Sequence, residues 1–160
     1  MALGANLGDP SRTLQEAFQE LERLSVEPLR RSSLWRSKPI DCPPGSPDFL
    51  NAAAILKPAA GETPFSLLER LQAIERRFGR VRAGRPPNAP RRLDLDLIAF
   101  GDLAVRSSFL TLPHPRAHLR RFVLAPLAEI APDLVLPLQR EPVRTLLAKC
   151  PASQWVEKVG

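Results

Sequence analysis

The order of periodic segments along this chain predicts an α+β fold: a β-α-β-β-α-β core, an antiparallel sheet with helices packed on it, and a C-terminal appendage. Three observations carry that prediction. Two segments repeat apolar residues at helical spacing, and each opens with a capping residue followed by proline. Short strand-like segments lie before, between and after them. Residues 93–98 alternate apolar and polar side chains with a period of two, as a half-buried strand does. This is the ferredoxin-like arrangement, and 160 residues suit one domain, 1–160, with a sizeable core.

Taken in order, Leu3 and its neighbours read as the end of a first strand. Asp9-Pro10 starts a helix whose apolar stripe is Leu14, Ala17, Phe18, Leu21 and Leu24. Residues 32–37 and 49–56 read as strands. Between them, Lys38-Pro39-Ile40-Asp41-Cys42-Pro43-Pro44-Gly45-Ser46-Pro47 holds too many prolines for either element. Thr63-Pro64 starts a second helix with Leu67, Leu68, Leu71, Ile74 and Phe78 inward and Gly79 as its stop. An arginine-rich loop then leads into the strand at 93–98. The appendage holds a short strand at 103–106, a loop at 111–115, and helices near 122–130 and 142–149.

Composition narrows the function. Hydrophobic residues make up 44% and charged residues 25%, ordinary for a globular chain. No apolar run is long enough to cross a membrane. The first residues lack a basic segment followed by an apolar one, so no signal peptide is expected. Cys42 and Cys150 suit neither a zinc site nor a disulfide framework, which predicts reduced thiols and a cytoplasmic location. The net charge of +6 permits nucleic-acid binding but equally suits a polyanionic small substrate.

The chemistry concentrates at Asp94 and Asp96. Alternation puts Leu93, Leu95 and Leu97 on one face of the strand and both aspartates on the other, with Cα atoms roughly 6.6–7 Å apart. Such a pair can be no more than a solvated acidic face. Yet every charged residue from Arg76 to Arg92 is an arginine (Arg76, Arg77, Arg80, Arg82, Arg85, Arg91, Arg92). An arginine-rich loop feeding two adjacent carboxylates fits a metal-bound polyphosphate. The carboxylates would hold Mg²⁺, which prefers few protein ligands plus phosphate oxygens, and the arginines would clamp the remaining phosphate charge. Elsewhere, Gln72 and Glu75 are three apart on a helix and share a face, which could simply be solvated. Asn51 in an otherwise apolar strand needs a hydrogen-bond partner, and a ligand would supply one.

Four separated blocks then carry a resemblance: Gly4-Ala5-Asn6-Leu7-Gly8; Pro47-Asp48-Phe49-Leu50-Asn51-Ala52-Ala53; Pro90-Arg91-Arg92-Leu93-Asp94-Leu95-Asp96-Leu97-Ile98; and Pro113-His114 with Arg120 and Phe122. The chain resembles the 6-hydroxymethyl-7,8-dihydropterin pyrophosphokinases of folate biosynthesis. These enzymes move pyrophosphate from ATP to the pterin hydroxymethyl group and release AMP. The resemblance implies that Asp94 and Asp96 bind two Mg²⁺ ions and act in catalysis with Arg80 and Arg91. It puts Gln72, Glu75, Arg82, Thr111, His114 and Arg120 around the nucleotide. It assigns Phe49 and Phe122 to stacking on the pterin, Asn51 to its edge, and the segment around Ser37 and Ile40 to completing that pocket. The match departs at Asn88, where a tryptophan is often found, at Pro115, which replaces an aromatic, and at Phe109, which stands where an arginine sometimes occurs.

Two other readings use the same residues. A basic RNA-binding module would read RNA through aromatics on the sheet, but only Phe49 and Phe100 are candidates and the chain has no tyrosine. A metal-dependent nuclease would want further acids beside Asp94 and Asp96, and none is evident. The expectation is therefore a monomeric, cytoplasmic enzyme whose partners are ATP and hydroxymethyl-dihydropterin, with no nucleic acid and no membrane.

Overall fold

The computed structural model describes residues 1–79 and 92–160. Strand β1 (Ala2–Ala5) leads into helix α1 (Pro10–Leu24), capped by the Asp9 carboxylate, which accepts the Arg12 N–H at 3.2 Å. Strands β2 (Arg30–Arg31), β3 (Trp35–Ser37) and β4 (Phe49–Ile55) follow. Helix α2 (Pro64–Arg77) opens on a Thr63–Ser66 capping box and ends at Gly79, whose φ of 86° only glycine adopts without strain. Then come β5 (Asp94–Asp96), the hairpin β6 (Val105–Arg106) and β7 (Thr111–Leu112), and a 3₁₀ turn at Ala117–Leu119. Helices α3 (Arg121–Ile130) and α4 (Val143–Lys149) precede a last strand, β8 (Val156–Lys158).

The main sheet runs β5-β1-β4-β3-β8, with β2 also on β4, and its pairings are antiparallel. Strand alternation divides it into two faces. Leu3, Ala5, Ala52, Ala54 and Leu95 point to one side and pack with Leu14, Phe18 and Leu21 of α1 and Leu67, Leu71 and Ile74 of α2. Ala2, Ala53 and Ile55 point to the other, together with Ile98. They meet Val123, Leu124 and Leu127 of α3 and Val143 and Leu146 of α4. Helices α3 and α4 thus form a second helical layer, on the sheet face opposite α1 and α2.

Three local expectations need correction. The strand expected at 32–37 is two strands separated by a bulge. Arg31 faces Ala54 while Trp35 faces Asn51, so four steps along one strand match three along the other. Ser32 causes it: its N–H donates to the Ala53 carbonyl and its hydroxyl accepts the Ala53 N–H at 2.9 Å, standing in for a backbone carbonyl. The extra residue moves Trp35 and Ser37 onto the face that carries Asn51. The loop expected at 111–115 begins instead as β7, because Thr111 pairs with Arg106 and Leu112 with Val105. And β8 was not foreseen; it adds to the free edge of β3, with Ser37 opposite Val156.

Candidate active site

The site forms where α3 stops covering the sheet. Cross-strand register puts Asp94 beside Gly4 and Gly4 beside Asn51, and Asn51 beside Trp35. Asp96 and Phe49 extend this row to either side on the same face. The 3₁₀ turn and the start of α3 bring Arg116, Arg120 and Phe122 over that floor, and the chain after β3 brings Lys38, Ile40, Asp41 and Cys42. Together they enclose a cavity of about 300 Å³ that Ser37 and Gln154 also line. Of the expected residues, Ser37, Ile40, Phe49, Asn51, Asp94, Asp96, Arg120 and Phe122 therefore share one cavity.

Asn51 is only 4% exposed, but it does not wait for a ligand to satisfy its amide. Its Nδ2 donates to the Trp35 carbonyl at 3.2 Å and to the Ser37 hydroxyl at 2.8 Å. The Trp35 carbonyl can only accept, which fixes the amide orientation and leaves Oδ1 toward the cavity floor. A Cβ on Gly4 would stand 3.5 Å from that oxygen and 3.8 Å from the Phe49 ring. Gly4 thus keeps open a space bounded by Asn51, Phe49 and Asp94. A group entering it would meet Asn51 Oδ1 as a hydrogen-bond acceptor.

The opposite wall is cationic. The Arg120 guanidinium lies 5.5 Å from the centroid of the Phe122 ring. Burial, with Arg116 adding to it, lowers the Arg120 pKa, against the pull of Asp96, Asp94 and Asp41. Arg120 remains a cation at neutral pH. His114 is lowered too, first by burial and then by Arg120 and Arg116, while Asp94 pulls the other way. Its Nδ1 accepts the Arg116 N–H at 3.2 Å, which puts the proton of the neutral ring on Nε2.

The remaining expected residues lie elsewhere. Thr111 and His114 line a second cavity of about 410 Å³, with His118, Arg106, Leu136 and Leu138. Gln72 is half-buried on α2 and lines neither cavity. Glu75 overturns the picture of a solvated helical face: it is 1% exposed, and its Oε2 accepts the Leu95 N–H at 2.8 Å. It sits behind β5, under the residue that separates the two aspartates. Arg80, Arg82, Arg85 and Arg91 lie outside the described residues.

Sequence reasoning missed Gly4, Lys38, Asp41, Cys42, Arg116 and Gln154 as lining residues. Gly4 had a signal in its block of glycines. Asp41 takes a φ of 53°, yet an aspartate in a proline-rich loop is too common to mark it. Gln154 had none, because only the pairing of β8 brings it back to the cavity.

Among the described residues no group of three or more His, Cys, Asp and Glu side chains could hold a metal ion. Two half-buried carboxylates side by side still fit Mg²⁺, which takes few protein ligands where substrate phosphates complete its shell. The Mg²⁺ expectation is therefore compatible with this donor set.

The family model described as 7,8-dihydro-6-hydroxymethylpterin-pyrophosphokinase matches residues 1–132. Three bacterial relatives each bear the name 2-amino-4-hydroxy-6-hydroxymethyldihydropteridine pyrophosphokinase. The protein of Synechocystis is 44% identical over 138 residues, covering 86% of this chain and 68% of its own. That of Haemophilus influenzae is 42% identical over 138 residues, 86% of this chain and 83% of its own. That of Pseudomonas aeruginosa is 43% identical over 152 residues, 94% and 90%.

Proposed function

This chain belongs to the 7,8-dihydro-6-hydroxymethylpterin-pyrophosphokinase family, and from that premise we propose how its cavity divides the work between two substrates. The protein is a pyrophosphokinase of folate biosynthesis that transfers pyrophosphate from ATP to the hydroxymethyl group of 6-hydroxymethyl-7,8-dihydropterin, leaving AMP. In the proposed division the pterin enters beside Gly4. A pterin N–H donates to Asn51 Oδ1, while the rings of Phe49 and Phe122 pack on its faces. Ser37 holds the Asn51 amide for this task, and Ile40 borders the pocket. The hydroxymethyl group then points along the floor toward Asp94 and Asp96.

The triphosphate occupies the carboxylate end. Arg120 contacts its oxygens, and in this reading the nucleotide extends past the carboxylates toward the second cavity, where His114 offers Nε2–H as a neutral donor and Thr111 lies on the adenosine side. Arg80, Arg82 and Arg91 supply further positive charge in this reading, and Gln72 belongs to the nucleotide side. Glu75 acts from behind the strand rather than by touching nucleotide. Asp94 and Asp96 would hold two Mg²⁺ ions, which when bound would neutralise phosphate charge and align the phosphates with the hydroxyl. Transfer forms a bond from the hydroxymethyl oxygen to the β-phosphorus and breaks that phosphorus's bond to the α-phosphate bridging oxygen. The hydroxyl proton is released and AMP departs with the bridging oxygen. No covalent protein intermediate is needed.

The observation that carries this reading is the shared row of Asp94, Gly4 and Asn51, which sets metal-type and pterin-type groups side by side on one floor. The strand order β5-β1-β4-β3 supports a ferredoxin-like core with α3, α4 and β8 as its appendage. In this reading the protein acts as a monomer, and two free thiols agree with a cytoplasmic protein. The test is to supply Mg²⁺, ATP and hydroxymethyl-dihydropterin and follow the nucleotide. AMP with a pyrophosphorylated pterin is expected; ADP, or AMP without a modified pterin, would sink the reading.

A further inference from the structure

The wall of the cavity that carries Arg120 and Phe122 has no cap of its own. Arg120 occupies the N-cap of α3 and makes no capping side-chain bond. The missing bonds come from far along the chain. Gln154 Oε1 accepts the Arg121 N–H at 2.9 Å, and Gln154 Nε2 donates to the Leu119 carbonyl at 3.1 Å. One partner can only donate and the other can only accept, so the amide is engaged at both ends in one orientation. The two backbone groups it holds flank Arg120, and Phe122 follows at once.

Gln154 is itself fixed to the opposite wall. Two residues on, Val156 faces Ser37 in the β3–β8 pair. The neighbouring Trp155 ring lies 5.6 Å from Lys38 Nζ. The Glu129 carboxylate on α3 strengthens the joint: it accepts Lys158 Nζ at 2.9 Å and the Ser33 N–H at 2.7 Å. Residues 154–158 thus tie the end of β3, with Ser37 and Lys38, to the start of α3, with Arg120 and Phe122.

We propose that Gln154 is a positioning residue of the pyrophosphokinase site: it sets where the Arg120 guanidinium and the Phe122 ring stand over the floor. It touches no reacting atom and acts through the backbone of Leu119 and Arg121. This rests on the functional reading above. Transfer between two bound substrates is sensitive to such placement, since misplacement by about 1 Å can cost on the order of 10²-fold.

The test compares the full chain with Q154L, which keeps the volume and removes both bonds, and with Q154E, which keeps only the acceptor for Arg121. Q154L should raise the KM for pterin and lower kcat, each by about tenfold, at temperatures where it is fully folded. Amide exchange at Arg121 and Phe122 should speed up. Q154E should recover most of the pterin KM. A role confined to stability would lower the melting temperature and leave kcat and both KM values unchanged below it. That result would overturn the proposal. Should Q154L fail to fold, Q154N is measured in its place, because an amide one methylene shorter cannot span both partners; wild-type kinetics there would overturn the proposal equally. Exchange at Arg121 needs no turnover. An inactive wild type whose Arg121 amide still loosens in Q154L would condemn the pyrophosphokinase reading and leave the clamp standing. Unchanged exchange would condemn the clamp.

Discussion

At the scale of single residues, the site depends on alternation more than on any unusual side chain. Asp94 and Asp96 share a face because Leu95 between them is buried on the other. This much was legible in the sequence, since a period of two needs no knowledge of the partner strands. If the pair holds the catalytic ions, Asp94→Ala and Asp96→Ala should each fold normally and lose on the order of 10³-fold in turnover. Circular dichroism with steady-state AMP release checks this, and activity within tenfold of wild type in both variants would remove the carboxylates from the mechanism. His114 makes a second prediction. Burial depresses its folded pKa below the unfolded value of about 6.5. Above that value the ring is neutral in both states and contributes nothing. Below it the unfolded chain takes up a proton that the folded chain resists, so stability falls as pH drops toward the folded pKa. His114→Asn should therefore flatten the decline of melting temperature between about pH 7 and pH 5. Parallel curves for the two proteins would contradict the assignment. Asn51 shows the limit of reading residues singly: the sequence demanded a partner for its amide, but only the structure reveals Trp35 and Ser37 as partners of its Nδ2.

At the scale of elements, the two amphipathic helices and their caps were legible because their signals are local: Asp9-Pro10 and Thr63-Pro64 at the starts, apolar stripes within, Gly79 at the stop. The strands were legible only in part. The bulge at Ser32 depends on what the hydroxyl meets on β4, and β8 exists because β3 offers a free edge; neither contact leaves a pattern in its own segment. Glu75 did leave one. It stands four residues after Leu71 and eight after Leu67, inside the apolar stripe of α2, where a carboxylate must be paired. Its pairing with the Leu95 N–H makes it the link between α2 and the strand that carries both aspartates. Glu75→Leu should cost about 1–3 kcal/mol in stability, because it strands a buried backbone donor. Turnover should fall more than the loss of folded protein explains, while pterin affinity stays near wild type. Denaturant unfolding and calorimetry with pterin separate the two effects. A variant with wild-type turnover per folded molecule would show that Glu75 only packs.

At the scale of the whole molecule, the fold places one sheet between two helical layers and ends the second layer early. Over the inner part of the sheet, Ala2 and Ala53 pack against α3 and α4; two residues along the same strands, Gly4 and Asn51 line the cavity. The same parity therefore builds core and site, and the start of α3 marks the border between them. Much of the site was readable from the sequence through its four blocks, but the border was not, since it depends on how far α3 reaches and on Gln154 holding its first turn. The arrangement also weighs against the RNA-binding alternative. Phe49, one of its two candidate aromatics, lines a cavity with Asp94 and Asp96, whose carboxylates would repel a nucleic-acid backbone. The central claim is that one cavity has two separable ends, with pterin at Phe49, Asn51 and Phe122 and metal-bound phosphates at Asp94, Asp96 and Arg120. The most direct measurement is a calorimetric titration of pterin, and separately of a non-hydrolysable ATP analogue with Mg²⁺, against Asn51→Leu and the double variant Asp94→Ala/Asp96→Ala. Asn51→Leu should weaken pterin by about tenfold or more and leave the nucleotide within about twofold, since it removes edge recognition at similar volume. The double variant should lose Mg²⁺-dependent nucleotide binding and keep its pterin affinity. Equal losses of both ligands in both variants, or no loss in either, would contradict the account.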